Sequence, residues 1–294
     1  MYDVIIIGMG CAGMSAGIYS KNSGLKALIL ESTYPGGILN KVNIVDNYLG
    51  FNDITGPDLV EKMYDHVKNN GVEYKFERVL NIKSTDEYKE ITTTKNIYKS
   101  KALIFAGGRK ARNTNLESEE KFKGKGISYC AICDAPLFKD KDIVVLGAGS
   151  SAFEEAIYLS KVVKSVKILV KNEISALDEL VETAENIDNI EIIKGVYVTE
   201  FIGKDALESV KLNTNEEIKC EGAFVYYGYD ADTAYLKELG ILDERGYIIV
   251  DSSMRTKIPY IYACGDTIKK ELYQVATAVA EGSIAAVSAR KDIK

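Results

Sequence analysis

Tyr2-Asp3-Val4-Ile5-Ile6-Ile7-Gly8-Met9-Gly10-Cys11-Ala12-Gly13 is the stretch that decides the fold. The β-branched run predicts a short buried strand. It opens directly into Gly-x-Gly-x-x-Gly. A helix-like stretch follows through Tyr19, then a second apolar strand, Ala27-Leu28-Ile29-Leu30, which ends at Glu31. Strand, glycine loop, helix, strand and acid is the order of a dinucleotide-binding unit. The glycines let the backbone turn tightly and approach a pyrophosphate, which sits on the helix N-terminus. Glu31 lies 23 residues after Gly8, where an acid accepts hydrogen bonds from ribose hydroxyls.

The unit occurs twice. Ile143-Val144-Val145-Leu146 leads into Gly147-Ala148-Gly149-Ser150-Ser151-Ala152, a helix near Phe153 to Ser160 and a strand at Val166 to Val170. The copies align without gaps at an offset of 139 residues. Such a duplication predicts two Rossmann-like α/β domains, each of three layers. Glu31 falls on Val170, so the second copy lacks the ribose-binding acid. The next residues are Lys171-Asn172-Glu173-Ile174-Ser175-Ala176, with no arginine to grip a 2′-phosphate. Between the copies, Lys101 to Phe105 reads as a strand closing into Ala106-Gly107-Gly108. Near the end, Tyr260 to Cys264 reads as another, closing into Gly265-Asp266 before an alanine-rich helix, Gln274 to Ala289. The second domain is therefore expected to be inserted in the first: residues 1–113 and 242–294 bind the cofactor, and 114–241 form the pyridine-nucleotide-type domain.

Bulk properties narrow the function. The 294 residues suffice for two domains, and 46% hydrophobic with 27% charged residues is a globular composition. A net charge of -6 argues against a broad nucleic-acid surface. No apolar run approaches the ~20 residues of a membrane span. The opening Met-Tyr-Asp-Val has no basic region of the signal-peptide kind, so a cytoplasmic location is expected. The only histidine is His66, which leaves zinc clusters and histidine-dependent triads almost nothing to work with. Five cysteines are too few and too scattered for a disulfide-stapled scaffold.

Two of those cysteines form Tyr129-Cys130-Ala131-Ile132-Cys133-Asp134, a C-x-x-C with no second pair and so not a metal site. Its spacing allows a reversible disulfide. Asp134 reads either as a proton donor and acceptor or as a helix-capping carboxylate. Cys11, Cys220 and Cys264 read as packed side chains. A redox disulfide needs an electron source that side chains cannot supply, and a flavin in the first domain fits best.

With these motifs in this order, the chain resembles the low-molecular-weight thioredoxin reductases along essentially its whole length. The motifs are Gly8 to Gly13, Gly36-Gly37-Ile38-Leu39, Ala106-Gly107-Gly108 and Cys130 to Asp134. Gly147 to Ala152 with Glu154-Glu155-Ala156, and Gly265-Asp266 followed by Tyr273-Gln274-Val275, complete the set. The resemblance implies a bound FAD, a thioredoxin partner, a homodimer and domain rotation between two working states. It places the FAD pyrophosphate on Gly8, Gly10, Ala12 and Gly13, and its ribose on Glu31. Gly36, Gly37, Ile38, Leu39 and Asn47 line the isoalloxazine side, and Val79 faces the adenine. Ala106, Gly107 and Gly108 also line the cofactor. Gly265 and Asp266 reach the ribityl and phosphate region, and Tyr273, Gln274 and Val275 the flavin ring. Cys133 becomes the flavin-side sulfur, Cys130 the sulfur that attacks the partner, and Asp134 the acid.

There are departures. NADPH-dependent members carry His-Arg-Arg and a later Arg where this chain has Val170, Lys171, Asn172 and Ala176. Tyr273 replaces the Arg that precedes the C-terminal Gln. That pattern is similar to the ferredoxin-dependent flavin thioredoxin reductases of anaerobic bacteria. The intact Gly147 to Ala152 loop goes against it. Tyr226, Tyr227 and Tyr229 are expected near the place of a nicotinamide, and Arg109, Lys110 and Arg112 as a basic cluster for an acidic ferredoxin. The alternatives are an NAD(P)H-dependent thioredoxin reductase of degenerate nucleotide specificity and a flavin dithiol oxidase.

Overall fold

Both faces of a parallel strand are covered, which is why Val4–Ile7 is buried without alternation. The computed structural model describes residues Met1–Lys294. Its first segment runs β1 (Tyr2–Ile7), α1 (Cys11–Asn22), β2 (Ala27–Glu31), α2 (Gly56–Asn69) and β3 (Glu73–Phe76). It continues through β4 (Val79–Ser84), β5 (Lys89–Thr93), β6 (Ile97–Phe105) and β7 (Arg109–Ala111). Then come α3 (Glu117–Phe122), β8 (Ile127–Ser128), α4 (Ala131–Asp134), β9 (Asp142–Leu146), α5 (Ser150–Ser160) and β10 (Ser165–Val170). After them lie α6 (Asp178–Glu185), β11 (Ile190–Lys194), β12 (Val198–Ile202), β13 (Ser209–Leu212), β14 (Glu217–Lys219) and β15 (Gly222–Val225). The chain closes with β16 (Tyr229–Ala231), β17 (Ile261–Ala263) and α7 (Val275–Ile293).

It divides into two units, Met1–Lys110 with Asp230–Lys294, and Ala111–Tyr229. The first holds a seven-stranded sheet in the order β3-β2-β1-β6-β5-β4, with β17 also on β6. Alternate residues of β1, β2 and β6 feed two cores. Val4, Ile6, Ile29 and Ile104 pack under α1, α2 and α7. Ile5, Leu28, Leu103 and Phe105 pack against Ile91, Leu236 and Ile241 on the other face. α1 and α7 approach closely, since a Cβ at Gly282 would lie 2.2 Å from the carbonyl oxygen of Ala12. The second unit has a five-stranded parallel sheet, β11-β10-β9-β15-β8, with the antiparallel sheet β12-β13-β14 beside it.

The duplication survives element by element: β1, α1 and β2 match β9, α5 and β10 at the offset of the alignment. Each unit is Rossmann-like, and the second interrupts the first. The expected joint near 242 is corrected. Residues from Asp230 onward belong with the first unit, and Leu236 and Ile241 are buried in its core. No helix is long and apolar enough to cross a membrane.

Candidate active site

In the first unit the parallel strands end together. Gly8 adopts φ +103°, and a Cβ there would lie 2.4 Å from the Ala106 carbonyl oxygen. At Gly13 a Cβ would lie 1.9 Å from the carbonyl oxygen of Gly8. Gly10 differs, because a Cβ there would meet nothing within 4 Å. The loop thus has an open face at the start of α1, the space and backbone polarity a pyrophosphate requires. The Glu31 carboxylate stands over it, accepting from the Met9 N–H at 2.8 Å and the Thr33 N–H at 3.0 Å. The Gly36 N–H donates to the Met9 carbonyl at 2.8 Å, which brings Gly37, Ile38 and Leu39 to the same loop in a 3₁₀ turn. The Ala106 N–H donates to the Ile7 carbonyl at 2.8 Å and carries Gly107 and Gly108 alongside. Glu77 N–H bonds the Glu31 carbonyl at 2.8 Å, placing Val79 two residues beyond. Asn47 Nδ2 donates to Gln274 Oε1 at 3.3 Å, and Gln274 caps α7 just before Val275.

A charged network closes this end. Asp266 accepts from Arg109 Nε at 3.1 Å and Nη2 at 2.9 Å, and Lys270 lies 3.4 Å away. Glu281 takes the Lys270 ammonium and the Gly265 N–H, both at 2.8 Å. The Arg109 guanidinium stacks 4.1 Å over the Tyr273 ring. Of the expected basic cluster, Arg109 is turned onto Asp266, and Lys110 pairs with Asp232 at 3.3 Å. If Glu31 is the ribose acid, Glu31→Ala should weaken FAD retention by roughly tenfold or more, the value of one charge-assisted hydrogen bond. Lys171→Ala, in the second copy, should leave retention unchanged. Equal FAD loss from both, measured by flavin release on dilution, would reverse the assignment.

In the second unit Cys130 and Cys133 form a disulfide, with Cα atoms 5.4 Å apart. Cys130 caps the single turn α4, and the Cys133 N–H donates to its sulfur at 3.3 Å. Cys130 is buried and Cys133 is exposed. Asp134 makes no capping bond; its Oδ2 accepts from the Ser128 hydroxyl at 2.6 Å. The Ser128 oxygen in turn accepts from the Cys130 N–H at 3.0 Å. Tyr226 Oη accepts from the Ala131 N–H at 3.0 Å, so this ring is tied to the disulfide turn. Tyr129 donates to the buried Glu119, which also takes the Thr114 N–H and hydroxyl; burial and that carboxylate push the phenol pKa up. The remaining cysteines form no disulfide. Burial pushes the Cys11 and Cys220 thiols up to about 12, and Cys264 higher still, so all stay protonated at neutral pH.

The second glycine loop is dressed differently. Val170 is wholly buried at the end of β10. Ser175 N–H and Oγ reach the Ala148 carbonyl at 2.8 and 3.3 Å, and the Leu177 N–H donates to Ser150 Oγ at 3.3 Å. A cavity of about 280 Å³ is lined by Lys171, Asn172, Glu173, Ile174, Lys194 and Gly195. Sequence reading missed Lys194; the parallel register sets it opposite Val170, a pairing no local motif announces. The Lys171 ammonium lies 4.6 Å over the Tyr197 ring. Tyr226 crowds Gly147, whose Cβ would lie 2.7 Å from the Tyr226 carbonyl oxygen. Tyr227 packs on the core beneath, and Tyr229 opens β16.

Glu155 on α5 belongs to a motif of the sequence, but its buried state was not foreseen. Its Oε2 is buried without a hydrogen-bond partner, and burial, helped by Glu154, pushes its pKa up to about 7 from 4.5. The folded state then keeps a proton that the unfolded chain loses, so stability falls as pH rises from ~4.5 through ~7. Glu155→Gln should therefore stabilise the protein at pH 8 by at most about 3 kcal/mol and change little at pH 4.5. Urea unfolding at the two pH values checks this; an equal effect at both would refute it.

The model of the family described as "Pyridine nucleotide-disulphide oxidoreductase" matches residues 2–282. The chain is 40% identical to a thioredoxin reductase of Ureaplasma parvum serovar 3, over 100% of this chain and 97% of that one. A crystal structure of Lactococcus lactis thioredoxin reductase, in its FR conformation, matches with TM-score 0.94 and 38% identity, covering 100% and 99% of the two chains. A ferredoxin-flavin thioredoxin reductase from Clostridium acetobutylicum matches at TM-score 0.56 and 33% identity, covering 99% and 97%.

Proposed function

Because this chain belongs to the pyridine nucleotide-disulphide oxidoreductase family, among its thioredoxin reductases, we propose that it reduces thioredoxin through Cys130 and Cys133 with electrons from reduced ferredoxin. The cofactor is FAD, and Gly8, Gly10, Ala12, Gly13 and Glu31 would hold it, with Gly265 and Asp266 at the ribityl chain. When bound, FAD would supply redox chemistry that links one-electron and two-electron exchange, which side chains alone lack.

Two electrons and two protons open the Cys130–Cys133 bond. The Cys133 N–H stabilises negative charge on the Cys130 sulfur, and Asp134 takes the proton that this thiol gives up. The Cys130 thiolate attacks one sulfur of the partner's disulfide, and the displaced partner sulfur receives a proton from Asp134. Cys133 then attacks Cys130, breaking its bond to the partner, and its proton goes to the partner sulfur released from Cys130. The enzyme disulfide is restored and both partner thiols leave, so electrons and protons balance. A homodimer belongs to the same reading and is checked by sedimentation.

The observation that carries the choice of donor is the end of β10. Val170 is buried where an acid would select NADH, and no arginine follows it to hold a 2′-phosphate. Each missing charge-assisted contact is worth roughly 1.5–3 kcal/mol. A second reading, a nicotinamide dinucleotide as donor, is favoured by the cavity in which Lys194 joins Lys171 and Glu173. Thioredoxin thiols are counted under anaerobic conditions with reduced ferredoxin, NADPH or NADH supplied in turn. Turnover with ferredoxin alone supports the first reading, and turnover with either nucleotide alone supports the second. In a parallel aerobic run, oxygen consumption that outpaces thioredoxin reduction would make the protein a dithiol oxidase.

A further inference from the structure

The Ser128 hydroxyl has one proton and two acceptors within reach: Asp134 Oδ2 at 2.6 Å and the Cys130 carbonyl oxygen at 3.3 Å. Its oxygen is held by the Cys130 N–H at 3.0 Å whichever way the proton points. Ser128 is 3% exposed, so water is not at hand to replace a lost partner. A carboxylate accepts hydrogen bonds only, whereas a protonated carboxyl also donates one. The hydroxyl therefore faces Asp134 while that group is ionised. When Asp134 gains a proton, the hydroxyl can turn to the Cys130 carbonyl and accept from the carboxyl, leaving no buried polar group unpaired. We propose that Ser128 is a positioning residue for thiol–disulfide exchange. Its hydroxyl switches between Asp134 and the Cys130 carbonyl, tying the proton state of Asp134 to the backbone of Cys130. This rests on the reading of Asp134 as the proton carrier.

The switch moves one proton within the site and needs no other reactant. Asp134 takes it from the Cys130 thiol and later returns it to a leaving sulfur. The titratable groups at this turn are Cys130, Cys133 and Asp134, with Tyr226 after β15, which in turn feels Asp134, Glu155 on α5 and Tyr229. Glu155 titrates in the range of interest, so the test is run in both the parent and a Glu155→Gln background.

The FAD-loaded enzyme is reduced with dithionite, desalted anaerobically, and mixed with thioredoxin disulfide or a small aromatic disulfide from pH 5 to 9. Ser128→Ala should slow exchange by roughly tenfold and move the acid limb of the profile to higher pH, because the carboxylate has lost its donor. Ser128→Thr, which keeps the hydroxyl, should restore both within about threefold. The shift should persist in the Glu155→Gln background. Profiles of Ser128→Ala and parent that superimpose would overturn the proposal, as would a loss equal at every pH that threonine does not repair. Reaction with the small disulfide is independent of donor and partner. Enzyme that reacts with it but never with thioredoxin defeats the proposed function while still deciding the role of Ser128.

Discussion

Cys133→Ser enzyme, once reduced, is expected to trap a thioredoxin lacking its resolving cysteine in a stable mixed disulfide through Cys130. The sulfur that caps α4 accepts the Cys133 backbone N–H, which a serine at 133 still provides, so the Cys130 thiolate keeps its stabilisation. The substitution removes only the sulfur that would release the partner. Turnover should fall by at least about 10³-fold in both single variants, since either loss breaks the two-sulfur cycle. Cys220→Ala should turn over at close to the parent rate, because burial keeps that thiol protonated. Cys130 is the buried member of the pair and Cys133 the exposed one, so the trap also tests the reverse order of attack. Trapping by Cys130→Ser and not by Cys133→Ser, read by mass spectrometry, would exchange the two roles.

What was legible in the sequence is what is local. Gly8 to Gly13, with strand before and helix after, announces its unit because turn, helix start and strand lie within about thirty residues. The gapless second copy then predicts the second unit. What was not legible depends on which distant segments the sheets bring together. Lys194 enters the cavity beside Lys171 only because β10 and β11 run parallel in that register. Arg109 meets Asp266 across 157 positions, so a residue that reads as part of a basic cluster is held in an ion pair. Ser128 precedes the cysteine motif without belonging to it; the one-turn helix folds Asp134 back onto it. The joint expected near 242 failed for a similar reason. Leu236 and Ile241 look like any apolar pair in sequence, and their membership of the first core is set by packing alone.

The donor carries the largest expected difference in the reaction itself. A 2′-phosphate held by arginines gains several charge-assisted contacts, and losing two of them costs roughly 3–6 kcal/mol, or two to four powers of ten in affinity. Lys171 and Lys194 recover part of that, but a lysine is a point charge rather than a planar fork, and Glu173 in the same cavity repels phosphate. Reduced ferredoxin needs no such pocket, because an iron–sulfur centre passes electrons on close approach. The most direct test is an anaerobic titration of the FAD-loaded protein followed at the flavin absorbance band. Millimolar NADPH or NADH should leave the flavin oxidised, and stoichiometric reduced ferredoxin should bleach it. Rapid bleaching by micromolar NADPH or NADH would contradict the account and assign the electrons to a nicotinamide donor.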